Sequence, residues 1–226
     1  MTDNIPLDCI ETQTGPEPAW AVLFLHGLGD SGNGFAPIVP ALVRPGWPPV
    51  RFVFPHAPVR AVTLNAGMRM RAWYDIISLD RLSLEDEKGM RESVGHVEAL
   101  ISREEARGIP ASRIVVAGFS QGGAIAVATG LRRTRALAGI GVLSSYLPMA
   151  AATMVEITTQ ARSTPVFMAH GDFDPVIPAA FGRISRDQLI ALGMQVEWHS
   201  YPIAHNVSDD EVAALAAWLG TRLCAR

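Results

Sequence analysis

A serine, an aspartate and a histidine, far apart in this chain, stand in settings that suit nucleophilic catalysis. Ser120 lies in Gly118-Phe119-Ser120-Gln121-Gly122, directly after the apolar run Ile114-Val115-Val116. Glycines two before and two after a serine at a strand end match the G-x-S-x-G nucleophile elbow, a sharp strand-to-helix turn that projects the hydroxyl into a cleft. A helix starting at Gln121 adds partial positive charge and free N–H groups beside it. A glycine-containing turn with a capping serine has the same look, so the motif needs its partners.

A serine hydroxyl is a weak nucleophile near neutral pH. It requires a base to take its proton and a carboxylate to hold that base in the right tautomer. On a sheet that carries this elbow the order along the chain is serine, acid, histidine. Downstream of Ser120 and a plausible acid stand only His199 and His205. His199 falls inside the alternating run Val196-Glu197-Trp198-His199-Ser200-Tyr201, where a strand aims it sideways. His205 falls in the loop Pro202-Ile203-Ala204-His205-Asn206 and can reach across the top of the sheet, so it is the preferred base. For the acid, Asp172 and Asp174 compete in His170-Gly171-Asp172-Phe173-Asp174-Pro175. An early aspartate in a turn is naturally an Asx or capping residue. Asp174, deeper in the loop and stiffened by Pro175, is favoured.

The developing oxyanion needs preorganised donors: the N–H of Gln121, next to the nucleophile, and one from the loop after an early strand. In Leu25-His26-Gly27-Leu28-Gly29-Asp30, glycines flank Leu28 and let its N–H turn inward, so Leu28 is the second donor. His26, His56 and His170 each sit at strand ends or turns and are expected to hold loop backbone; His96 belongs to a helix surface. Six dispersed histidines without helical pairing give no metal site. Leu64, Met68 and Met70 suit either an acyl-pocket lining or a loop folded onto the core. Trp73-Tyr74-Asp75 suits core and loop packing.

These residues need a scaffold. Strands are expected at 19–25, 50–54, 113–117, 138–143 and 165–169, with a more exposed one at 194–201. Helical patterns cover 85–107, 121–132, 179–192 and 209–223, the last with Ser208 and Glu211 spaced as a capping box. Strands alternating with helices argue for a mostly parallel sheet covered on both faces. With 226 residues and no low-complexity linker, residues 1–226 are read as one α/β domain. The stretch 57–84 is loop-rich, the best place for a lid or specificity loop. Arg132, Arg133 and Arg135 read as a solvated helix end.

A formal net charge of −3 without like-charge runs gives no face for nucleic acid or anionic lipid. Cys9 and Cys224, at opposite ends, offer neither a disulfide framework nor metal spacing, as in a reducing compartment. The opening residues lack an apolar core for a secretory signal, and no apolar run is long enough to span a bilayer. A soluble, cytoplasmic protein is expected.

Taken together, LFLHGLGDSG, FPHAP, AWYDI, GFSQGG, HGDFDPVIP and the late Ala-His resemble the phospholipase/carboxylesterase group of α/β-hydrolases, which includes bacterial carboxylesterases and acyl-protein thioesterases. The resemblance runs from about residue 19 to residue 215. It implies Ser120 as nucleophile, Asp174 as acid, His205 as base, and oxyanion donors at Leu28 and Gln121. It implies an eight-stranded type of sheet with little or no cap domain, no metal and no cofactor. It sets the segment containing Trp73 beside the active site, and it allows a weak homodimer. Ala204 departs from the glycine that many members carry before the base. The expected activity is hydrolysis of short- to medium-chain carboxylic esters, a small-molecule ester being the substrate. The alternatives are an acyl-protein thioesterase or lysophospholipase with the same triad, and, from another class, a non-catalytic ligand-binding protein of this fold.

Overall fold

A computed structural model describes residues 7–78 and 85–224. In chain order the elements are β1 (Cys9–Gln13), β2 (Trp20–Leu25), the short helices α1 (Gly32–Phe35) and α2 (Val39–Leu42), β3 (Val50–Pro55), β4 (Val59–Val62), β5 (Met68–Arg71) and α3 (Glu87–Ala106). They continue with β6 (Ile114–Phe119), α4 (Gln121–Arg132), β7 (Gly139–Leu143), α5 (Ala150–Glu156), β8 (Val166–Gly171), α6 (Ala179–Ala191), β9 (Val196–Tyr201) and α7 (Asp209–Leu223). Seven strands form one sheet in the order β1-β3-β2-β6-β7-β8-β9. All neighbours run parallel except β1, which pairs antiparallel with β3, Cys9 opposite Pro55. This is the α/β-hydrolase fold, with seven strands in the main sheet among the described residues rather than the eight the resemblance implied.

The strands read as continuous apolar runs because both faces are covered, and alternate residues sort between two cores. Ala21, Leu23, Leu25, Ile114 and Val116 join a cluster with Met90, Val97 and Ile101 of α3 and Ala124 to Ala128 of α4. Val22, Phe24, Val115 and Ala117 join the opposite cluster, with Val39 and Leu42 of α2 and Val212, Leu215 and Trp218 of α7. Helix α4 is buried at every position from Gln121 to Leu131, which explains its small, apolar sequence.

The chain places β3 on one side of β2 and β6 on the other. The order reverses there, and at such a switch point the loops leaving the two strands part and open a crevice at their carboxyl ends. The loop after β2 and the turn after β6 both lie on it.

Several expectations need correction. β1 reads C-I-E-T-Q and is half exposed at the sheet edge, too polar to signal a strand. The stretch taken as loop at 57–78 holds an antiparallel hairpin, β4 with β5, in which Val62 pairs with Met68; residues 79–84 of that stretch lie outside the described residues. Arg133 is not solvated: its side chain is 6% exposed and pairs with Glu98 and Glu105 on α3. Arg132 pairs with Glu156 on α5, a helix the sequence pattern missed. Ser208 caps α7 as expected, its Oγ accepting the Glu211 N–H at 3.2 Å. The return half of the capping box is weak: the Ser208 N–H approaches the fully buried Glu211 carboxyl, whose oxygens have no partner of ordinary hydrogen-bond geometry.

Candidate active site

At Ser120 the backbone leaves β6 with φ +54° and ψ −121°, a conformation an L residue adopts only under strain. The two glycines of the motif make it feasible. A Cβ on Gly118 would stand 2.3 Å from the Gly122 carbonyl carbon, and one on Gly122 would stand 2.3 Å from the Leu25 oxygen. Strand β6, helix α4 and the end of β2 therefore meet backbone to backbone. Ser145, just past β7, donates its hydroxyl to the Ser120 carbonyl at 2.7 Å and braces the turn from the other side.

His205, in the loop between β9 and α7, brings Nε2 to 2.9 Å from Ser120 Oγ. Its Nδ1 lies 2.6 Å from Oδ2 of Asp174, in the loop after β8. A carboxylate only accepts, so Nδ1 carries the proton and Nε2 presents its lone pair to the serine hydroxyl. The other oxygen of Asp174 accepts the N–H groups of Val176 and Ile177 at 2.8 and 2.9 Å. Its carboxylate is 0% exposed, so it is held by hydrogen bonds on both oxygens and shielded from water. Asp172 is exposed, and its N–H donates to the Tyr201 oxygen at 2.7 Å; it stays out of the row. The Phe119 ring packs against His205 at 4.8 Å between centroids, and no periodicity in the sequence pointed to that contact.

His170 and His56 hold backbone. His170 donates from Nε2 to the Ile177 oxygen at 2.8 Å, with Asp174 Oδ2 at 3.4 Å; burial pushes its pKa down and keeps the ring neutral. His56 accepts the Gly32 N–H at 3.1 Å. His199 bonds Glu197 at 2.9 Å and stacks on Phe167, away from the cleft. Among the described residues no group of histidine, cysteine and carboxylate side chains is arranged to hold a metal ion.

Gly27 abuts Ser120, since a Cβ there would stand 3.5 Å from the Ser120 Cβ. Leu28 follows it on the crevice wall. Gln121 is the first residue of α4, so its N–H has no acceptor within the helix. Both expected donors thus border the serine.

Beside the serine lies a cavity of about 290 Å³, walled by Leu28, Phe119, Tyr146, Ile177 and Phe181 among others. Leu64 lines it as expected. Met68, Met70 and Trp73 do not. Met68 is 65% exposed on the outer side of the hairpin. Met70 lies against Gly29 and accepts a weak hydrogen bond from Asn65. Trp73 is fully buried behind the wall. The segment after the hairpin supplies Tyr74, Ile76 and Ile77 to the cavity in their place. Tyr146 also lines it, with its hydroxyl 3.0 Å from that of Tyr74. Burial pushes the Tyr146 phenol up to about 12, so both hydroxyls stay protonated near neutral pH. Tyr146 follows the end of β7, a position that the rule placing ligands at carboxyl strand ends could have found.

A profile of the family described as Phospholipase/Carboxylesterase matches residues 8–223. Acyl-protein thioesterase 1 of Mycosarcoma maydis is 42% identical over 225 residues, covering 93% of this chain and 94% of that protein. The crystal structure of Arabidopsis thaliana SOBER1 superposes with a TM-score of 0.84 at 31% identity, over 90% of this chain and 99% of that one. Zea mays acyl-protein thioesterase 2 superposes with a TM-score of 0.83 at 28% identity, over 95% and 99%.

Proposed function

Since the chain belongs to the phospholipase/carboxylesterase family of hydrolases, we propose that it cleaves acyl esters and thioesters through an acyl-Ser120 intermediate. The observation that carries this reading is the continuous hydrogen-bonded row from Ser120 Oγ through both nitrogens of His205 to the buried Asp174. His205 Nε2 takes the hydroxyl proton as Oγ attacks the carbonyl carbon, and the N–H groups of Leu28 and Gln121 receive the oxyanion. The imidazolium then protonates the leaving alkoxide or thiolate. A water molecule enters, gives its proton to His205 and attacks the acyl-enzyme, and collapse of the second tetrahedral intermediate frees the acid and restores Ser120. Asp174 holds the tautomer and stabilises the imidazolium throughout.

Oxyesters of short to medium acyl chains and acyl thioesters share this chemistry. The names of the relatives, acyl-protein thioesterases, favour a thioester on a protein over a free oxyester. A largely apolar cavity wall next to the serine suits the acyl chain of either. The test compares p-nitrophenyl esters of increasing length with an acyl thioester of a cysteine peptide. Ser120→Ala is expected to abolish turnover of all of them with the fold intact, and a fluorophosphonate is expected to label Ser120. Activity retained by Ser120→Ala removes the acyl-serine route, and an inert wild type that resists the probe restores the non-catalytic alternative. Because each methylene in an apolar pocket discriminates by only about 1–3 kcal/mol, the length profile is expected to be graded.

A further inference from the structure

His26 ends up beside the crevice, fully buried, and has no place in the row of Ser120, His205 and Asp174. Its ring makes two hydrogen bonds of opposite sense. Nε2 accepts from the Ala57 N–H at 3.0 Å, and since an amide N–H only donates, Nε2 is unprotonated. Nδ1 lies 2.7 Å from the Gly27 carbonyl oxygen, which only accepts, so Nδ1 carries the proton. The two partners select a single neutral tautomer, and burial keeps the ring uncharged by lowering its pKa.

The Gly27 carbonyl and the Leu28 N–H belong to one peptide unit. That unit is planar and trans, so its C=O and N–H point in opposite directions, and a donor fixed on the oxygen fixes the heading of the N–H. The Asp30 N–H adds a longer bond to the same oxygen at 3.3 Å. The preceding peptide is held too, since the Trp73 indole N–H donates to the His26 carbonyl at 2.9 Å. Trp73 in turn gives its backbone N–H to Gln121 Oε1 at 2.7 Å, while Gln121 Nε2 donates to the Tyr74 oxygen at 2.7 Å. Immediately after Leu28, Gly29 turns the chain away at φ +77°.

We propose that His26 is the positioning residue of the oxyanion hole: its Nδ1–H, donated to the Gly27 carbonyl, keeps the Leu28 N–H facing Ser120, and Trp73 anchors His26 to the segment that also holds Gln121. This rests on the acyl-serine reading above. Without the ring's proton the peptide can turn over and offer the developing oxyanion a carbonyl instead of an N–H. The loss falls on the transition state and spares ground-state binding.

The experiment uses the full chain with a p-nitrophenyl ester as substrate and a trifluoromethyl ketone, which adds Ser120 Oγ to form an oxyanion, as inhibitor. His26→Leu is expected to lower kcat by about 10- to 100-fold with KM unchanged, less than the roughly 10²–10³ lost when a whole donor is removed from a comparable hydrolase. Affinity for the trifluoromethyl ketone falls in step, while affinity for the matching non-adding alcohol holds. His26→Asn, whose amide nitrogen takes the place of Nδ1, recovers most of the rate. Should His26→Leu fail to fold, His26→Asn and Trp73→Phe decide the matter; the latter keeps an aromatic ring without its N–H and is expected to show the same signature in weaker form. An unchanged kcat in folded His26→Leu overturns the proposal, as does an equal loss of kcat and inhibitor affinity in His26→Asn and His26→Leu. Failure of the acyl-serine reading is distinct, for it shows as activity surviving in Ser120→Ala.

Discussion

Asp174 shows how a single carboxylate is made suitable for its task. Two backbone N–H groups hold one oxygen and the imidazole holds the other, all out of water. Asp174→Asn keeps the shape but offers an amide donor toward His205 and so favours the wrong tautomer. Its kcat is expected to fall by about 10⁴, as in a comparable triad, with circular dichroism unchanged. Steady-state kinetics on the p-nitrophenyl ester read this directly, and a loss no larger than that of Asp172→Asn sets the assignment aside. These three side chains were legible because the chemistry dictates residue type and chain order. The cavity lining was not. Met68 and Met70 lie on β5 of the hairpin, whereas Tyr74, Ile76 and Ile77 line the cavity from the segment that follows it, whose path is set by contacts remote in sequence such as Trp73 with Gln121.

At the scale of elements, the elbow between β6 and α4 depends on close backbone approach more than on any side chain. Gly118→Ala sets a methyl against main-chain atoms of Gly122, which cannot move aside as the end of a flexible side chain can. The variant is expected to lose about 1–3 kcal/mol of stability by overpacking, and kcat with it as Ser120 shifts. Urea unfolding and kinetics on the same preparation check both; an unaltered midpoint contradicts the contact. The central parallel strands were legible because burial on both faces leaves unbroken apolar runs between turns. β1, half exposed at an edge, and the short Arg-bearing strands of the hairpin carry no such run. Helix α5 escaped as well; seven residues long, it presents too few turns for a period to emerge.

Across the whole molecule, two cores sandwich the sheet, and α7 brings a charge into one of them. Burial raises Glu211 from 4.5 to about 7, the Ser208 N–H offsetting this only in part. Its folded pKa lies above its unfolded one, so between about pH 4.5 and 7 the folded state binds more protons and stability falls as pH rises. At about 1.4 kcal/mol per pH unit the effect is worth roughly 3 kcal/mol. Glu211→Gln is expected to remove that slope, melting higher than wild type at pH 8 and gaining little at pH 4.5. Parallel melting curves for the two proteins test it; identical differences at both pH values rule it out. The doubly covered sheet was readable from alternating strands and helices, whereas the number of strands was not, because edge strands need no apolar signature. Serine and base stand 85 residues apart in sequence, and α7, which follows the base, completes the core beneath it. During synthesis, then, a nascent chain carries Ser120 without its hydrogen-bond partner His205 until the loop after β9 has left the ribosome. On the acyl-serine proposal no acyl group is expected to be cleaved before that loop emerges, and the greasy underside of the sheet awaits α7 slightly longer.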